Sequence, residues 1–362
     1  MTSNEEINKR IERLREKLIA ENVEAILIKK RENIFYLSGY KGDDAILLIS
    51  GNDLSLITDS RYEEQASFEA PLFNLSVLKI KLIDDSAAQS IRMGIKRLGF
   101  IKSELTYDEF SEFSSKLSGK AELIPVRDIV SDLRTIKTPY ETEKIKNAVK
   151  IADDAFIHIL KFIKPGISES DVSIEIEYHM KKTGASGASF ETVVASGVRS
   201  SLPHGVASPK KIEIGDAITL DFGSVVDKYC SDMTRTVFLG NPSDEMKKIY
   251  KIVYKAQMEA ENSAFEGLTG KEIDSVARHV IDESNYKGKF GHALGHGVGL
   301  EVHEQPRLSL SGNKTMKNGM IVTVEPGIYL KGIGGVRIED MIVINGQNPI
   351  ILTGTTKEMI VL

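Results

Sequence analysis

The chain has 362 residues, and this length predicts about two domains with a sizeable hydrophobic core. Its formal charge of −5 comes from 47 basic and 52 acidic residues and gives no electrostatic basis for binding nucleic acid or an anionic membrane. No apolar run approaches the roughly 20 residues that span a bilayer, and the single cysteine, Cys230, excludes an intramolecular disulfide.

The N-terminal segment, MTSNEEINKR, lacks the apolar region of a signal peptide, and this predicts a cytoplasmic location. The first predicted element is an amphipathic helix over residues 3–21, in which Ser3 and Glu6 have the spacing of a capping box. Its apolar face follows the 3.6-residue helical period and consists of Ile7, Ile11, Leu14 and Leu18.

Residues 25–98 alternate between strand-like and helix-like patterns. Short aliphatic runs predict strands at residues 25–28, 45–49, 54–58 and 75–80. Helical patterns lie at residues 61–69 and 86–98. The alternation predicts an α/β domain, and the turn signal Gly51-Asn52-Asp53 predicts a hairpin between the second and third strands, so that the sheet is mixed.

A second kind of region begins near residue 132. Thr138 as N-cap, Pro139 at the first helical position and Glu141 three residues after the cap begin a long helix, which ends at Pro165. The basic segment 133–138 would be the linker. We therefore assign residues 1–131 to an N-terminal domain and residues 132–362 to a second domain.

The second domain contains the same order of elements twice, as two helices followed by two strand-like runs. The first set lies at residues 139–163, 169–183, 217–226 and 229–239, and the second at residues 243–266, 271–284, 320–330 and 336–344. This order predicts an internal duplication, which would place a site between the two halves.

Each half places two acids in its apolar strand-like runs: Asp221 in TLDFGS and Asp232 in CSDMTRT, then Glu325 in TVEPGIY and Glu339 in VRIEDM. A single buried acid is most often a hydrogen-bonded structural group. Four such acids favour a metal site, because an isolated ionised carboxylate is very costly in an apolar setting. A turn at Gly332 would place the second pair side by side, and the first pair has its midpoint at residues 226–227.

The segment GHALGHGVGLEVHE, residues 291–304, contains three histidines and four glycines. Adding His296 to the four acids gives one nitrogen and four carboxylates, whose charge of about −4 would balance two divalent ions. Such a pair of ions can share a hydroxide and hydrolyse amides or phosphates. Mn²⁺, Co²⁺, Fe²⁺ and Zn²⁺ all suit these ligands.

The motifs LDFG, YCSDMTRT, GHGVGLEVHE, VEPGIY and GGVRIED resemble those of the pita-bread metallopeptidases, the group of methionine aminopeptidase, aminopeptidase P and prolidase. The earlier motifs NIFYLSGY and TDSRYEEQA are similar to the creatinase-type N-terminal domain, which points to the Xaa-Pro peptidase branch. The resemblance implies an α/β creatinase-type domain with a mixed sheet, followed by an α+β pita-bread catalytic domain with an internal pseudo-twofold repeat.

The resemblance also implies roles for individual residues. The ligands of the two metal ions, with Mn or Co preferred over Zn or Fe, would be Asp221, Asp232, His296, Glu325 and Glu339. Glu325 would also move the proton, and His204 and His303 would hold the substrate carbonyl. The residues that contact the substrate in the pocket would be His292, Arg307 and Arg337, although Arg337 could equally pair with nearby acids. Thr234 would orient a ligand.

The implied activity is hydrolysis of Xaa-Pro bonds in peptides with proline in the second position, by a protein that is a homodimer in its relatives. The motifs do not separate a dipeptidase from an aminopeptidase acting on longer peptides. A non-catalytic pita-bread binding protein or another creatinase-type hydrolase is the alternative, which the complete ligand set disfavours. Two departures are Lys228, where relatives often have Gly, and the absence of tryptophan.

Overall fold

The computed structural model describes residues 3–79 and 81–362. The chain divides into two compact units, Met1–Arg134 and Thr135–Leu362. The boundary expected after residue 131 falls inside a short helix, Ile129–Arg134, that packs with the first unit. The assignment of residues 1–131 and 132–362 to two domains stays a prediction. No helix within the described residues is long and apolar enough to cross a membrane.

The first unit is built on one mixed sheet in the order β4-β3-β2-β1-β5-β6. Its strands are β1 (Ala25–Ile28), β2 (Ala45–Ser50), β3 (Leu54–Thr58), β4 (Asn74–Val77), β5 (Arg97–Ile101) and β6 (Glu122–Val126). The pairs β1–β2 and β2–β3 are antiparallel, and the other neighbours are parallel. The predicted hairpin and mixed α/β sheet are confirmed.

The helices of the first unit are α1 (Asn4–Ala20), α2 (Arg31–Ser38), α3 (Glu63–Glu69), α4 (Leu82–Arg92), α5 (Tyr107–Leu117) and α6 (Ile129–Arg134). The backbone N–H of Glu6 donates to Ser3 Oγ at 3.2 Å, so α1 begins at the predicted cap. The predicted helix over residues 86–98 is wrong at its end, because Gly94 has a φ of 70° and Arg97 begins β5. In the predicted strand 75–80, Ile80 lies outside the described residues.

The second unit contains four long helices: α7 (Pro139–Phe162), α8 (Glu169–Lys182), α9 (Asp244–Ser263) and α10 (Gly270–Ile281). Its first-half strands are β7 (Gly187–Ala188), β8 (Val193–Ser196), β9 (Ala217–Phe222), β10 (Ser224–Val226), β11 (Tyr229–Cys230) and β12 (Met233–Phe238). Its later strands are β13 (Gly295–Gly297), β14 (Glu304–Leu308), β15 (Ile321–Val324), β16 (Gly327–Leu330), β17 (Gly334–Arg337), β18 (Asp340–Val343), β19 (Ile350–Ile351) and β20 (Ile360–Val361).

The duplication is visible in the sheets of this unit. One sheet contains β8, β9 and β12 as successive neighbours, and another contains β13, β15 and β18 in the same relation. Each set follows a helix pair, α7–α8 or α9–α10, whose apolar faces pack against that half. Phe156, Ile176 and Leu220 belong to the first core, and Val253, Ala277 and Val322 belong to the second. The predicted internal repeat is confirmed.

Each of the four strand-like runs predicted to carry an acid is broken into two short strands. The breaks separate β9 from β10, β11 from β12, β15 from β16 and β17 from β18. The pairing register nevertheless continues across each break, since β9–β12 and β10–β11 share one register and β15–β18 and β16–β17 share another. The two strands of each hairpin therefore keep one register along their whole length, although the strand pairing is interrupted near the acids.

Candidate metal centre

The acids and histidines predicted from the sequence converge on one cavity of about 370 Å³ in the second unit. The predicted site residues that line it are His204, Asp221, Asp232, His292, His296, His303, Glu325, Arg337 and Glu339. Arg307 is not among the lining residues and is exposed on β14. The cavity also contains Phe190, Glu191 and Val193, which the sequence analysis did not identify.

The first pair of acids lies diagonally across the β9–β12 hairpin. Asp221 on β9 is opposite Thr234 on β12. Asp232 is two residues before Thr234, so the side chains of Asp232 and Thr234 project from the same face of the hairpin. The tight turn is formed by Asp227 and Lys228, with φ values of 51° and 74°. The expected turn at residues 226–227 is therefore one residue too early, and the acids are not directly opposite each other.

The second pair of acids lies in one hairpin, between its two paired segments β15–β18 and β16–β17. Leu330 pairs with Gly334 in β16–β17, and Val324 pairs with Asp340 in β15–β18. Because both ladders share one register, Glu325 and Glu339 face each other across the gap between them. The turn predicted at Gly332 is confirmed, and its φ is 78°.

His296 enters the cavity from the short strand β13. Its Nε2 atom lies 3.3 Å from Glu325 Oε1 and 3.6 Å from Asp232 Oδ2. Its backbone N–H donates to Thr323 Oγ1 at 3.1 Å. The flanking glycines permit this close backbone packing, since a Cβ on Gly297 would lie 2.2 Å from the carbonyl oxygen of Gln305.

Three of the predicted ligands form a group that fits a cation. Ligand atoms of Asp232, His296 and Glu339 all lie within 4.8 Å of one another, and all three residues are buried. Thr234 Oγ1 donates to Glu339 Oε2 at 2.6 Å, whereas the buried Oε1 atom of Glu339 has no hydrogen-bond partner among the residues that the structure describes. A buried carboxylate oxygen without a partner is costly, and a metal ion would satisfy it.

The pKa values of the acids show how strongly the charges repel. Burial raises the pKa of Asp232 and of Glu339 well above the usual range, and the neighbouring carboxylates raise both further. Burial also acts to raise the pKa of Glu325, but its hydrogen bond to His296 and the charge of that ring lower it to about 2. Without a cation, the four acids cannot all be ionised at low cost.

Arg337 is held by groups of the protein. Its Nε donates to Thr234 Oγ1 at 3.0 Å, its Nη1 donates to the Pro203 carbonyl oxygen and the Tyr329 hydroxyl, and its Nη2 donates to Asp221 Oδ2. Nearly all of its donors are therefore engaged. This arrangement supports pairing with the site's acids more than binding of a substrate carboxylate.

Tyr329 connects Arg337 to His292. The tyrosine hydroxyl lies 2.8 Å from Arg337 Nη1 and 2.9 Å from His292 Nε2. Since the guanidinium only donates, the Tyr329 proton points at His292 Nε2. The Nδ1 atom of His292 lies 2.8 Å from the Ala293 carbonyl oxygen, so Nδ1 carries the imidazole proton. Burial lowers the pKa of His292, which agrees with a neutral ring.

The two other histidines approach the cavity from loops. The ring of His303 lies edge-on to that of His296, with 4.4 Å between centroids. Burial lowers the pKa of His303, and the charges of His296 and Arg307 lower it further. His204 is an exposed residue of the loop that follows β8. Arg307 is thus near enough to influence His303 although it does not line the cavity.

Tyr329 and Thr323 are the functional residues that the sequence analysis missed. Thr323 Oγ1 donates to Glu325 Oε1 at 3.1 Å, and Tyr329 fixes His292. Both lie an even number of positions from Glu325, so the two-residue period of a strand could have identified them. Thr234 was correctly expected beside a predicted ligand, because its hydroxyl bonds Glu339.

A duplicated helix–sheet unit with four acids and one histidine converging on a cavity fits a metal-dependent hydrolase of amides or phosphates. The chain belongs to metallopeptidase family M24, whose model matches residues 143–346. The model of the Creatinase/Prolidase N-terminal domain matches residues 10–136. The resemblance stated from the motifs is therefore confirmed, as is the predicted order of a creatinase-type domain and a pita-bread domain.

Several relatives that match over nearly the full length carry Xaa-Pro peptidase names, and others are named only as peptidases. An Xaa-Pro dipeptidase from Pyrococcus horikoshii is 41% identical over 355 residues, covering 98% of this chain and 99% of the relative. The structure of an Xaa-Pro dipeptidase from Bacillus anthracis is 46% identical with a TM-score of 0.96, covering 98% and 100% of the two chains. That of an X-Pro aminopeptidase from Thermotoga maritima is 41% identical with a TM-score of 0.90 and the same coverage.

Proposed function

We propose that this chain is a dinuclear metal-dependent exopeptidase that hydrolyses the bond before a proline in the second position of a peptide. The observation that carries the proposal is the convergence of four acids and His296 around a buried Glu339 oxygen that finds no hydrogen-bond partner in the described part of the chain. The names of its relatives support the choice of Xaa-Pro peptides as substrates.

The residues that would hold two divalent ions are Asp221, Asp232, His296, Glu325 and Glu339. Their oxygen-rich set with one imidazole suits Mn²⁺ or Co²⁺, and Zn²⁺ or Fe²⁺ also fit. When bound, the ions would supply Lewis-acid activation of a water molecule and of the scissile carbonyl. The charge of the ions would also offset the repulsion that raises the pKa values of Asp232 and Glu339.

Glu325 is proposed to move the proton. Its Oε1 atom accepts from Thr323 Oγ1 at 3.1 Å and lies 3.3 Å from His296 Nε2, so the carboxylate is held in the cavity wall. It would take a proton from the attacking water and deliver it to the leaving imino nitrogen. This delivery suits a prolyl bond, because its tertiary amide has no N–H for a general peptidase to bind.

His204 and His303 are proposed to donate hydrogen bonds to the carbonyl oxygen of the substrate as negative charge develops there. Both line the cavity, and the lowered pKa of His303 keeps its ring neutral near pH 7. A neutral imidazole still donates through one N–H, and such donors stabilise a tetrahedral intermediate.

Arg307 is proposed to bind the terminal carboxylate of a short substrate. It is exposed on β14, where it pairs with His296 of β13, and no hydrogen bond from the described residues holds its guanidinium as four hold that of Arg337. An arginine in this place favours dipeptides, which carry a carboxylate directly after the scissile bond, over longer peptides. A homodimer, which the family resemblance implies, and a cytoplasmic location also belong to this proposal.

Chelation followed by metal addition tests the proposal. Protein treated with a chelator should lose hydrolysis of Ala-Pro and regain it on addition of Mn²⁺ or Co²⁺, whereas Ala-Ala should be hydrolysed slowly throughout. Rates on Ala-Pro-Ala and Ala-Pro then separate an aminopeptidase from a dipeptidase. Undiminished Ala-Pro hydrolysis in chelator, or metal binding without any hydrolysis, would reject the proposed catalytic site in favour of another hydrolase or a binding protein.

A further inference from the structure

We infer that Glu169, a buried carboxylate at the start of α8, is a positioning residue that holds His204 in the cavity. The inference rests on the proposed role of His204 in peptide hydrolysis. It concerns residues 197–208, here called the His204 loop, which leaves β8 and brings Pro203, His204 and Val206 to the cavity wall.

Glu169 holds the His204 loop at both of its ends. Its Oε1 atom accepts from the backbone N–H of Ser196 at 2.7 Å and from Ser196 Oγ at 2.9 Å. Its Oε2 atom accepts from the backbone N–H of Ser208 at 3.1 Å and from Ser208 Oγ at 2.6 Å. One carboxylate thereby joins the residue before the loop to the last residue of the loop.

Arg199 extends this connection toward His204. Its Nε atom donates to Glu169 Oε2 at 3.0 Å, and its Nη2 atom donates to the carbonyl oxygen of Val206 at 2.6 Å. The backbone N–H of Val206 in turn donates to the His204 carbonyl oxygen at 2.9 Å. The route from Glu169 to the backbone of His204 therefore consists of three consecutive hydrogen bonds.

The position of the His204 ring depends on its backbone. Among the described residues, no hydrogen bond holds the His204 ring, unlike the rings of His292 and His296. Arg337 steadies the same part of the loop by donating to the Pro203 carbonyl oxygen at 3.0 Å. A loop whose backbone is fixed from two sides can hold an otherwise unrestrained donor in place.

The buried carboxylate of Glu169 needs all of these hydrogen bonds. Glu169 is 0% exposed, and a buried carboxylate is stable only when its oxygens are saturated by donors. Truncating it would leave the backbone N–H groups of Ser196 and Ser208 without their acceptor. The loop would then lose the carboxylate that joins its ends, although the backbone N–H of Ser170 would still donate to the Ser208 carbonyl oxygen. The loosened loop would let His204 sample positions that do not reach the substrate carbonyl.

Asp171 provides a matched control on the same helix turn. Its carboxylate accepts from the backbone N–H and Oγ of Ser168, at 3.0 and 2.5 Å, and makes no hydrogen bond to the His204 loop. Asp171→Asn therefore weakens the helix cap while keeping the hydrogen bonds that Glu169 accepts from Ser196 and Ser208. Arg199→Met is a milder variant than Glu169→Ala, because it leaves the buried carboxylate bonded to both serines.

A double-mutant cycle in the full-length, metal-loaded protein tests the inference. Glu169→Ala and Arg199→Met should each lower kcat on Ala-Pro by about 10-fold or more with KM changed less than about 3-fold, and Asp171→Asn should change neither. In a His204→Ala background, the same two variants should lower kcat by less than about 2-fold further, because their effect acts through His204. Hydrogen exchange in residues 197–208 should quicken in both variants at unchanged metal content.

The outcomes separate this inference from the proposed function. If Glu169→Ala and Arg199→Met lower kcat as strongly in the His204→Ala background as in the parent, Glu169 does not act through His204 and the inference fails. If Arg199→Met leaves kcat and loop exchange unchanged, the inference fails even where Glu169→Ala does not fold. If His204→Ala itself retains full activity, the proposed role of His204 fails first.

Discussion

His296 Nε2 lies 3.3 Å from Glu325 Oε1; His296 belongs to β13, and Glu325 directly follows the neighbouring strand β15. The contact lowers the pKa of Glu325 to about 2, whereas burial and repulsion raise the pKa values of Asp232 and Glu339. Two acids of the cluster are thus paired with groups of the protein, Glu325 with His296 and Asp221 with Arg337. Asp232 and Glu339 have pKa values that call for protons or metal ions, so occupancy by metal should control both activity and stability.

Glu339→Gln should have opposite effects on the metal-free and metal-loaded protein. The substitution keeps an oxygen near Thr234 but removes one buried negative charge, which relieves repulsion in the metal-free state. Thermal unfolding should show a higher Tm than the parent without metal and a smaller increase on adding Mn²⁺. Exposed Glu213→Gln is the control and should change neither Tm. An unchanged metal response in Glu339→Gln would remove Glu339 from the ligand set.

Thr234 should control metal affinity without being a ligand. Its hydroxyl donates to Glu339 and accepts from Arg337, so Thr234→Val leaves both groups short of a partner. Loss of such a supporting bond typically weakens metal affinity by roughly 10–100-fold. Titration of metal-free protein with Mn²⁺ should show this weakening for Thr234→Val, with recovery in Thr234→Ser. Equal affinity in all three proteins would contradict the role of the hydroxyl.

Gly297→Val should abolish activity. A Cβ on Gly297 would lie 2.2 Å from the carbonyl oxygen of Gln305, so the strand that carries His296 would have to move. We expect loss of Ala-Pro hydrolysis together with a lower Tm. Gly291→Ala is the matched control, because a Cβ there meets nothing within 4 Å. Full activity in Gly297→Val would show that close backbone packing beside His296 is not needed.

His179, which packs against His158, should have a pKa below that of a free histidine. His158 on α7 and His179 on α8 stack with 4.2 Å between ring centroids. Burial and then the charge of His158 lower the pKa of His179, so its ring should lose its proton below the pH at which a free histidine does. NMR titration should show this, and His158→Gln should move the His179 midpoint upward. A midpoint that stays in place would exclude coupling between the rings.

Much of the fold was predictable because local patterns agree with it. The capping signals at Ser3 and Thr138 mark helix starts, and the repeated order of helices and strands indicates the duplication. The short strands β8 and β13 were missed, since four or three residues are too few to show a period. The predicted sheet of each half therefore had two strands where the structure has three in the repeated part.

The predicted strands are interrupted near the acids for a physical reason. Each of Asp232, Glu325 and Glu339 places its carboxylate in a polar cavity, and the strand is interrupted at that residue. Apolar residues recur on both sides of each acid, so the sequence pattern looks like one continuous strand and does not reveal the interruption. The register of a hairpin depends on the geometry of its turn. The midpoint between Asp221 and Asp232 therefore could not locate the turn at Asp227 and Lys228. The exposure of Arg307 depends on tertiary packing that no local motif encodes.

The most direct test of the central claim is an anomalous difference map from a crystal of the metal-free protein soaked in Mn²⁺. The account predicts two peaks in the cavity, bound by Asp221, Asp232, His296, Glu325 and Glu339, with Glu339 Oε1 directed at one of them. A map without peaks in this cavity, or with an ion held by other residues while these five stay unbound, would contradict the dinuclear site.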